Sequence, residues 1–144
     1  MVLSLQEVSD RFEIMDVLND YCTAIDSSDF DLLDSVFAES AKIDFSKAGG
    51  PCGDLATIKA FLQKNLGNLP RQHILTNYKI CIEVDKALVR SLCCNPLEVS
   101  KGRGHTQVAI WGIWYKDRLI RTQHGWRIIE KTTEPCFNWN LEIE

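Results

Sequence analysis

Between Leu5 and Asp26 apolar side chains recur at three- and four-residue steps. Val8, Phe12, Met15, Leu18, Cys22 and Ile25 form one stripe, which predicts a helix over 5–26 with that stripe in the core. Asp26 continues the row of Met15, Leu18 and Cys22, so the helix ends on a carboxylate where an apolar residue would be natural. An inward carboxylate has to be paired, neutralised or used. Ser27 and Ser28 stop the helix, and Ser28 is the expected cap of a short second helix, "DFDLLDSVF". Asp29 and Asp31 suit the positive end of that helix.

A short strand, "AKIDFS", then precedes a Gly- and Pro-rich loop, "KAGGPCGD". Asp54 is placed to cap a third helix, "LATIKAFLQKNL", which ends near Gly67. Beyond Pro70 the period changes from helical to alternating. "HILTNYKICIEV" and "KALVRSLCCNPLEV" read as two strands joined by a tight turn in "EVDK". "GHTQVAIWGIWYKDRLIR" is a long strand apolar on both faces, and "GWRIIEKTTE" follows it after a turn at His124-Gly125. Such strands need covering on both sides. Helices can cover one face, and a second copy of the chain is the expected cover of the other, which makes a homodimer the expectation. The order, helices first and then a mostly antiparallel sheet, is that of an α+β fold, read as one domain over residues 1–144. A strongly curved sheet wrapped on the long first helix would enclose a pocket between them.

Composition narrows the function. A net charge of -4 without a basic cluster argues against nucleic acid as a partner. No apolar run approaches the roughly 20 residues needed to cross a bilayer, and "MVLSLQEVSDRFE" is not built like a signal peptide, so a cytoplasmic protein without membrane attachment is expected. The six cysteines and three histidines lack metal or redox spacing. Reduced core thiols, no metal and no cofactor are therefore expected. No phosphate-binding glycine loop and no G-x-S-x-G is present.

The opening "DRFEIMDVLNDYCTAIDSSDFDLLDSVFAESAKIDF" and the later "WGIWYKDRLIRTQHGWRI" resemble SnoaL-like proteins of the nuclear transport factor 2-like superfamily. The shared pattern is a helix carrying Y-x-x-A-x-D, a short acidic turn, F-x-x-x-A, a strand, and paired C-terminal strands. The resemblance implies a cone-shaped, cystatin-like α+β barrel, commonly dimeric, with a pocket at its wide end. Scytalone dehydratase, hexachlorocyclohexane dehydrochlorinase and non-catalytic domains share this fold, so function has to be read from the site.

In the dehydratase and dehydrochlorinase branch an aspartate near the end of the first helix pairs with a histidine opening a strand. By resemblance, Asp26 and His73 hold these positions. A neutral imidazole oriented by a carboxylate can take a proton from carbon, as β-elimination or a proton shift beside a carbonyl requires. The resemblance thus implies a cofactor-independent lyase or isomerase acting on a small, hydrophobic cyclic or carbonyl compound. Tyr21, Phe45, Tyr78, Trp111 and Asn138 are candidates for lining its pocket, with Asn140 beside Asn138 at the mouth and Trp139 anchoring the tail. The two tyrosines of scytalone dehydratase that help polarise a carbonyl are replaced here by Ile25 and Phe45, which argues against that reaction itself.

Other readings stand beside this one. Asp26 could bond only backbone amides at the helix junction. In a regular strand His73 would share a face with Asn77 and Lys79, opposite Ile74, Tyr78 and Ile80, unless a bulge intervenes. The aromatic candidates could be plain core, giving a non-catalytic ligand-binding or dimerisation domain. A structural subunit of a ring-hydroxylating dioxygenase uses the same fold. His105 and His124, beside turns, are read as surface residues, and Arg121 and Arg127 as solvated strand residues.

Overall fold

A computed structural model describes residues 2–102 and 104–141, with side chains at 139–141 outside the description. Helix α1, Leu5–Asp26, starts in a capping box: Ser4 Oγ accepts from the Glu7 N–H, and the Glu7 carboxylate accepts from the Ser4 N–H. A 3-10 turn at Phe30–Leu32 leads into α2, Leu33–Val36. Strands β1, Phe37–Asp44, and β2, Cys52–Gly53, follow, then α3, Leu55–Asn65. Asp54 caps α3 by accepting from the Thr57 N–H. The long strands are β3, Ile74–Glu83; β4, Lys86–Gly102; β5, His105–Thr122; and β6, Gly125–Leu141.

The six strands form one sheet in the order β2-β1-β6-β5-β4-β3. Every neighbouring pair is antiparallel except β1 with β6. The curved sheet and the long first helix make the expected α+β architecture. The core lies between α1 and the inner face of the sheet, where Ile14, Leu18, Tyr21 and Ile25 meet Val89, Tyr115, Leu119 and Ile128. No helix among the described residues is long and apolar enough to cross a membrane.

Several local expectations are corrected. The buried face of α1 runs through Asp10, Ile14, Val17, Tyr21 and Ala24, and the N-terminal half of the expected stripe is outside it, with Phe12 63% exposed. The reason is polar: Asp10 takes the buried position in the first half of the helix, where Arg121 donates to it at 2.7 Å and Trp126 Nε1 at 3.3 Å, while Leu18, Cys22 and Ile25 of the expected stripe are buried in the second half. Arg121 is thus no solvated residue; it also bonds Asp85 and lies over the Trp126 ring at 4.6 Å. Ser28 is not a cap. It sits at φ 60° and donates through Oγ to the Gly67 carbonyl at 2.6 Å. The last strand continues past Glu134 to Leu141 because β5 is long enough to pair with it throughout. Cys22 and Cys93 are buried thiols, but Cys52, Cys81 and Cys136 are exposed.

Candidate active site

His73 stands just before β3, between the Arg71–Leu97 bridge and the Ile74–Cys94 pair, so it keeps the strand's alternation. A bulge lies between Thr76 and Lys79, with Asn77 at φ 54°. The extra residue reverses the alternation, so Leu75 above the bulge and Tyr78, Ile80 and Ile82 below it are the more buried set, and His73 shares their side. Ile74, which a regular strand would bury, is exposed.

Asp26 is the last residue of α1. Its Oδ2 accepts from the His73 backbone N–H at 2.8 Å and its Oδ1 stands 2.6 Å from His73 Nδ1. The His73 ring is 5% exposed and the Asp26 side chain 25%. Burial alone would raise the Asp26 carboxyl; the ring and backbone hydrogen bonds from His73, with the nearby Arg71 charge, outweigh it and hold the group below its usual value. An ionised carboxylate only accepts, so Nδ1 carries a proton, and in the neutral ring Nε2 is then left with a lone pair.

Arg71 fixes this junction, and nothing in the pattern of the sequence singled it out. Its guanidinium donates to the Ile25 carbonyl through Nε at 2.9 Å and again through Nη2, to Ser28 Oγ at 2.7 Å, and to the carbonyls of Gly67 and Leu69. The end of α1, the loop after α3 and the approach to His73 are thereby tied to one planar group.

His73 opens onto a cavity of about 390 Å³ with largely apolar walls, including Ile25, Phe45, Phe61, Leu97 and Trp111. Phe45 is held by a small closed loop, donating its N–H to the Pro51 carbonyl and accepting from the Gly50 N–H. A Cβ at Gly50 would come within 2.7 Å of the Phe45 Cβ, so this approach needs glycine. Tyr21 meets the His73 ring edge to face at 6.3 Å and the Tyr115 ring at 5.9 Å. Burial pushes both phenols well above 10, so they are neutral hydroxyls.

Behind them lies a fully buried ion pair, Lys131 Nζ to Asp117 Oδ1 at 3.1 Å, with Nζ 4.2 Å and 3.9 Å from the Tyr21 and Tyr115 ring centroids. Burial raises the Asp117 carboxyl against the pull of Lys131.

Of the residues singled out in the sequence, Asp26 and His73 are in contact, and Tyr21, Phe45 and Trp111 line the same cavity as His73. Tyr78 and Asn138 are not among its lining residues. Tyr78 points to Asn19, with its hydroxyl 3.4 Å from Oδ1, and Asn138 is exposed on β6, opposite Trp111. The Trp139 and Asn140 side chains lie outside the described residues. Sequence reasoning passed over Asn95, Tyr115 and Thr133, which also line the cavity. The available signal was period two: Ala109, Trp111, Ile113 and Tyr115 make one inward row on β5.

A profile described as SnoaL-like domain matches residues 6–132. An uncharacterized protein of Mycobacterium tuberculosis strain H37Rv is 42% identical over 137 residues, covering 94% of this chain and 92% of its own. A crystal structure from Novosphingobium aromaticivorans, provisionally named an aromatic ring hydroxylase, is 28% identical with a TM-score of 0.80 over 93% of this chain and 94% of that one. A hexachlorocyclohexane dehydrochlorinase of Novosphingobium barchaimii superposes with a TM-score of 0.82 at 15% identity, covering 95% of this chain and 93% of that one. At that identity the likeness is one of fold.

Proposed function

Because the chain belongs to the SnoaL-like domain family, we propose that it is a cofactor-independent lyase or isomerase in which His73 Nε2 removes a proton from carbon. The substrate is a small, largely apolar cyclic or carbonyl compound, as the cavity walls suit. The single observation that carries the reading is the 2.6 Å contact of His73 Nδ1 with an ionised Asp26, beside an apolar cavity that His73 also lines. Asp26 holds the imidazole in the tautomer whose Nε2 accepts, and stabilises the imidazolium formed as the proton arrives.

The reading is tested without knowing the natural substrate. Protein is incubated in deuterated buffer with simple ring ketones, 1-indanone and 3-hydroxyindan-1-one, and loss of the α-proton signal is followed by NMR. Exchange above background that disappears in His73→Gln supports it. Exchange equal to background, or unchanged in His73→Gln, overturns it.

One observation favours a second reading, a non-catalytic ligand-binding domain. Ile25 and Phe45 line the cavity as hydrocarbon where the dehydratase resemblance calls for hydroxyls. On this reading ring ketones bind without exchange. We further propose that the chain is a homodimer joined through the outer face of the sheet, where Leu88 is exposed and Arg90 covers Trp114 at 3.5 Å.

A further inference from the structure

Asn95 gives the cavity a chemical preference that its apolar walls do not. Its amide nitrogen stands 3.4 Å from His73 Nε2, and its Oδ1 is buried with no hydrogen-bond partner among the described residues. The tautomer fixes which end is which. With the proton on Nδ1, Nε2 is a lone pair, so the amide turns N–H toward it and the carbonyl oxygen is left over. Asn95 lines the cavity with Leu97 on β4, and its cross-strand neighbour on β5 is Trp111.

Two demands meet at this amide. For Nε2 to take a proton from carbon, Asn95 Nδ2 has to move off it. A buried carbonyl oxygen without a donor is disfavoured, and a ligand that brings a hydroxyl supplies one. A ligand hydroxyl meets both demands when the amide rotates off Nε2 and Oδ1 accepts from that hydroxyl. A halogen, or a carbonyl oxygen, cannot donate and leaves Oδ1 unpaired.

Resting on the proton-abstraction reading above, we infer that the site takes a ring compound with a hydroxyl beside the carbon that loses its proton, and that Asn95 selects it over the halogenated counterpart. The reaction then balances as a dehydration. The C–H electron pair becomes the new double bond as the proton passes to Nε2. The neighbouring C–O bond breaks with its electrons on oxygen, and the proton on Nε2 goes to that oxygen, which departs as water.

The preference is measured on probes that cannot react, 2-indanol and 2-chloroindane, by calorimetric titration of the native protein. The expected result is at least about tenfold tighter binding of 2-indanol, since a site built to bond a hydroxyl penalises an analogue lacking it. In Asn95→Leu the two affinities converge. In Asn95→Asp, which keeps an acceptor, the preference survives, and this variant carries the test with the native protein if Asn95→Leu does not fold. Equal binding of both probes by the native protein, binding of neither, or an unchanged ratio in Asn95→Leu overturns the inference. Failure of α-proton exchange with the binding preference intact overturns the catalytic reading instead, so the two failures are distinguishable.

Discussion

Asp26→Asn isolates the dyad with the smallest change of shape. The carboxylate accepts two bonds, from the His73 backbone N–H at 2.8 Å and from Nδ1 at 2.6 Å. An amide has one accepting atom for those two donors. If its oxygen keeps the backbone N–H, its NH₂ faces Nδ1, which must then give up its proton and become the acceptor. The imidazole proton moves to Nε2, and a ring with Nε2–H cannot take a proton from carbon there. If the amide turns over, the backbone N–H is orphaned and the loop before β3 loses its tether. The first outcome removes general-base assistance, about 10²–10⁴-fold in rate. The second costs about 1–3 kcal/mol of stability, toward the lower end because Asp26 is partly exposed. The assay is α-proton exchange in deuterated buffer for rate, with urea unfolding for stability. A rate within threefold of the parent in a folded Asp26→Asn protein would refute the base-and-orienter reasoning.

Arg71→Met removes every guanidinium bond at the junction and is expected to lower stability by about 2–3 kcal/mol in urea unfolding and to slow exchange as well, since the dyad loses its frame. Lys131→Met leaves Asp117 buried without its partner and is expected to cost about 3–5 kcal/mol, whereas Lys131→Met with Asp117→Leu should return to the parent's stability or exceed it; a double variant as unstable as the single one would show that packing on Tyr21 and Tyr115, not charge, sets the cost. The Asp26 carboxyl is lower in the folded chain than its ordinary 3.8, so its contribution is complete above that pH and is lost as pH falls through the lower, folded value; thermal melts of Asp26→Asn should therefore be less acid-sensitive than the parent's in that window. For the proposed homodimer, light scattering should give twice the chain mass for the parent and the monomer mass for Leu88→Glu.

The sequence carried the fold well because the fold is written in periods. Helical steps over 5–26, the change to alternation after Pro70 and the turn residues at 84–85 and 124–125 all specify local structure directly. It misplaced the first half of α1 because Arg121 and Trp126 lie 111 and 116 positions beyond Asp10, and only folding shows that they meet it. It could place Asp26 and His73 through resemblance, but not settle the direction of His73, because a bulge at Asn77 is a backbone event that a non-glycine residue conceals. Asn95 escaped notice for a different reason. Its strand, "KALVRSLCCNPLEV", shows the period of a sheet but not that this amide lies beside His73, which only the fold brings to it.

The position of Asp26 sets a problem that the rest of the site solves. A carboxylate on the last turn of a 22-residue helix sits at the negative end of the macrodipole, and that turn carries no basic residue. Alone, such a group would be pushed toward its protonated form, and a protonated Asp26 could not hold the imidazole proton on Nδ1. The His73 hydrogen bonds do most to lower the Asp26 carboxyl, and Arg71, which bonds the Ile25 carbonyl one residue before Asp26, adds a smaller pull in the same direction. Arg71 is partly buried, and its guanidinium keeps its charge there because its donors are matched to carbonyls and to the Ser28 hydroxyl. The His73 backbone N–H adds a second fixed dipole aimed at the carboxylate. A Lys at position 71 would keep the charge but could not reach Ile25, Gly67 and Leu69 in one plane. Arg71→Lys should therefore retain most of the Asp26 ionisation while loosening the geometry, so that exchange slows more than the pH dependence shifts. A variant whose pH profile moves while its maximal rate stays at the parent's would mean that Arg71 acts through charge alone.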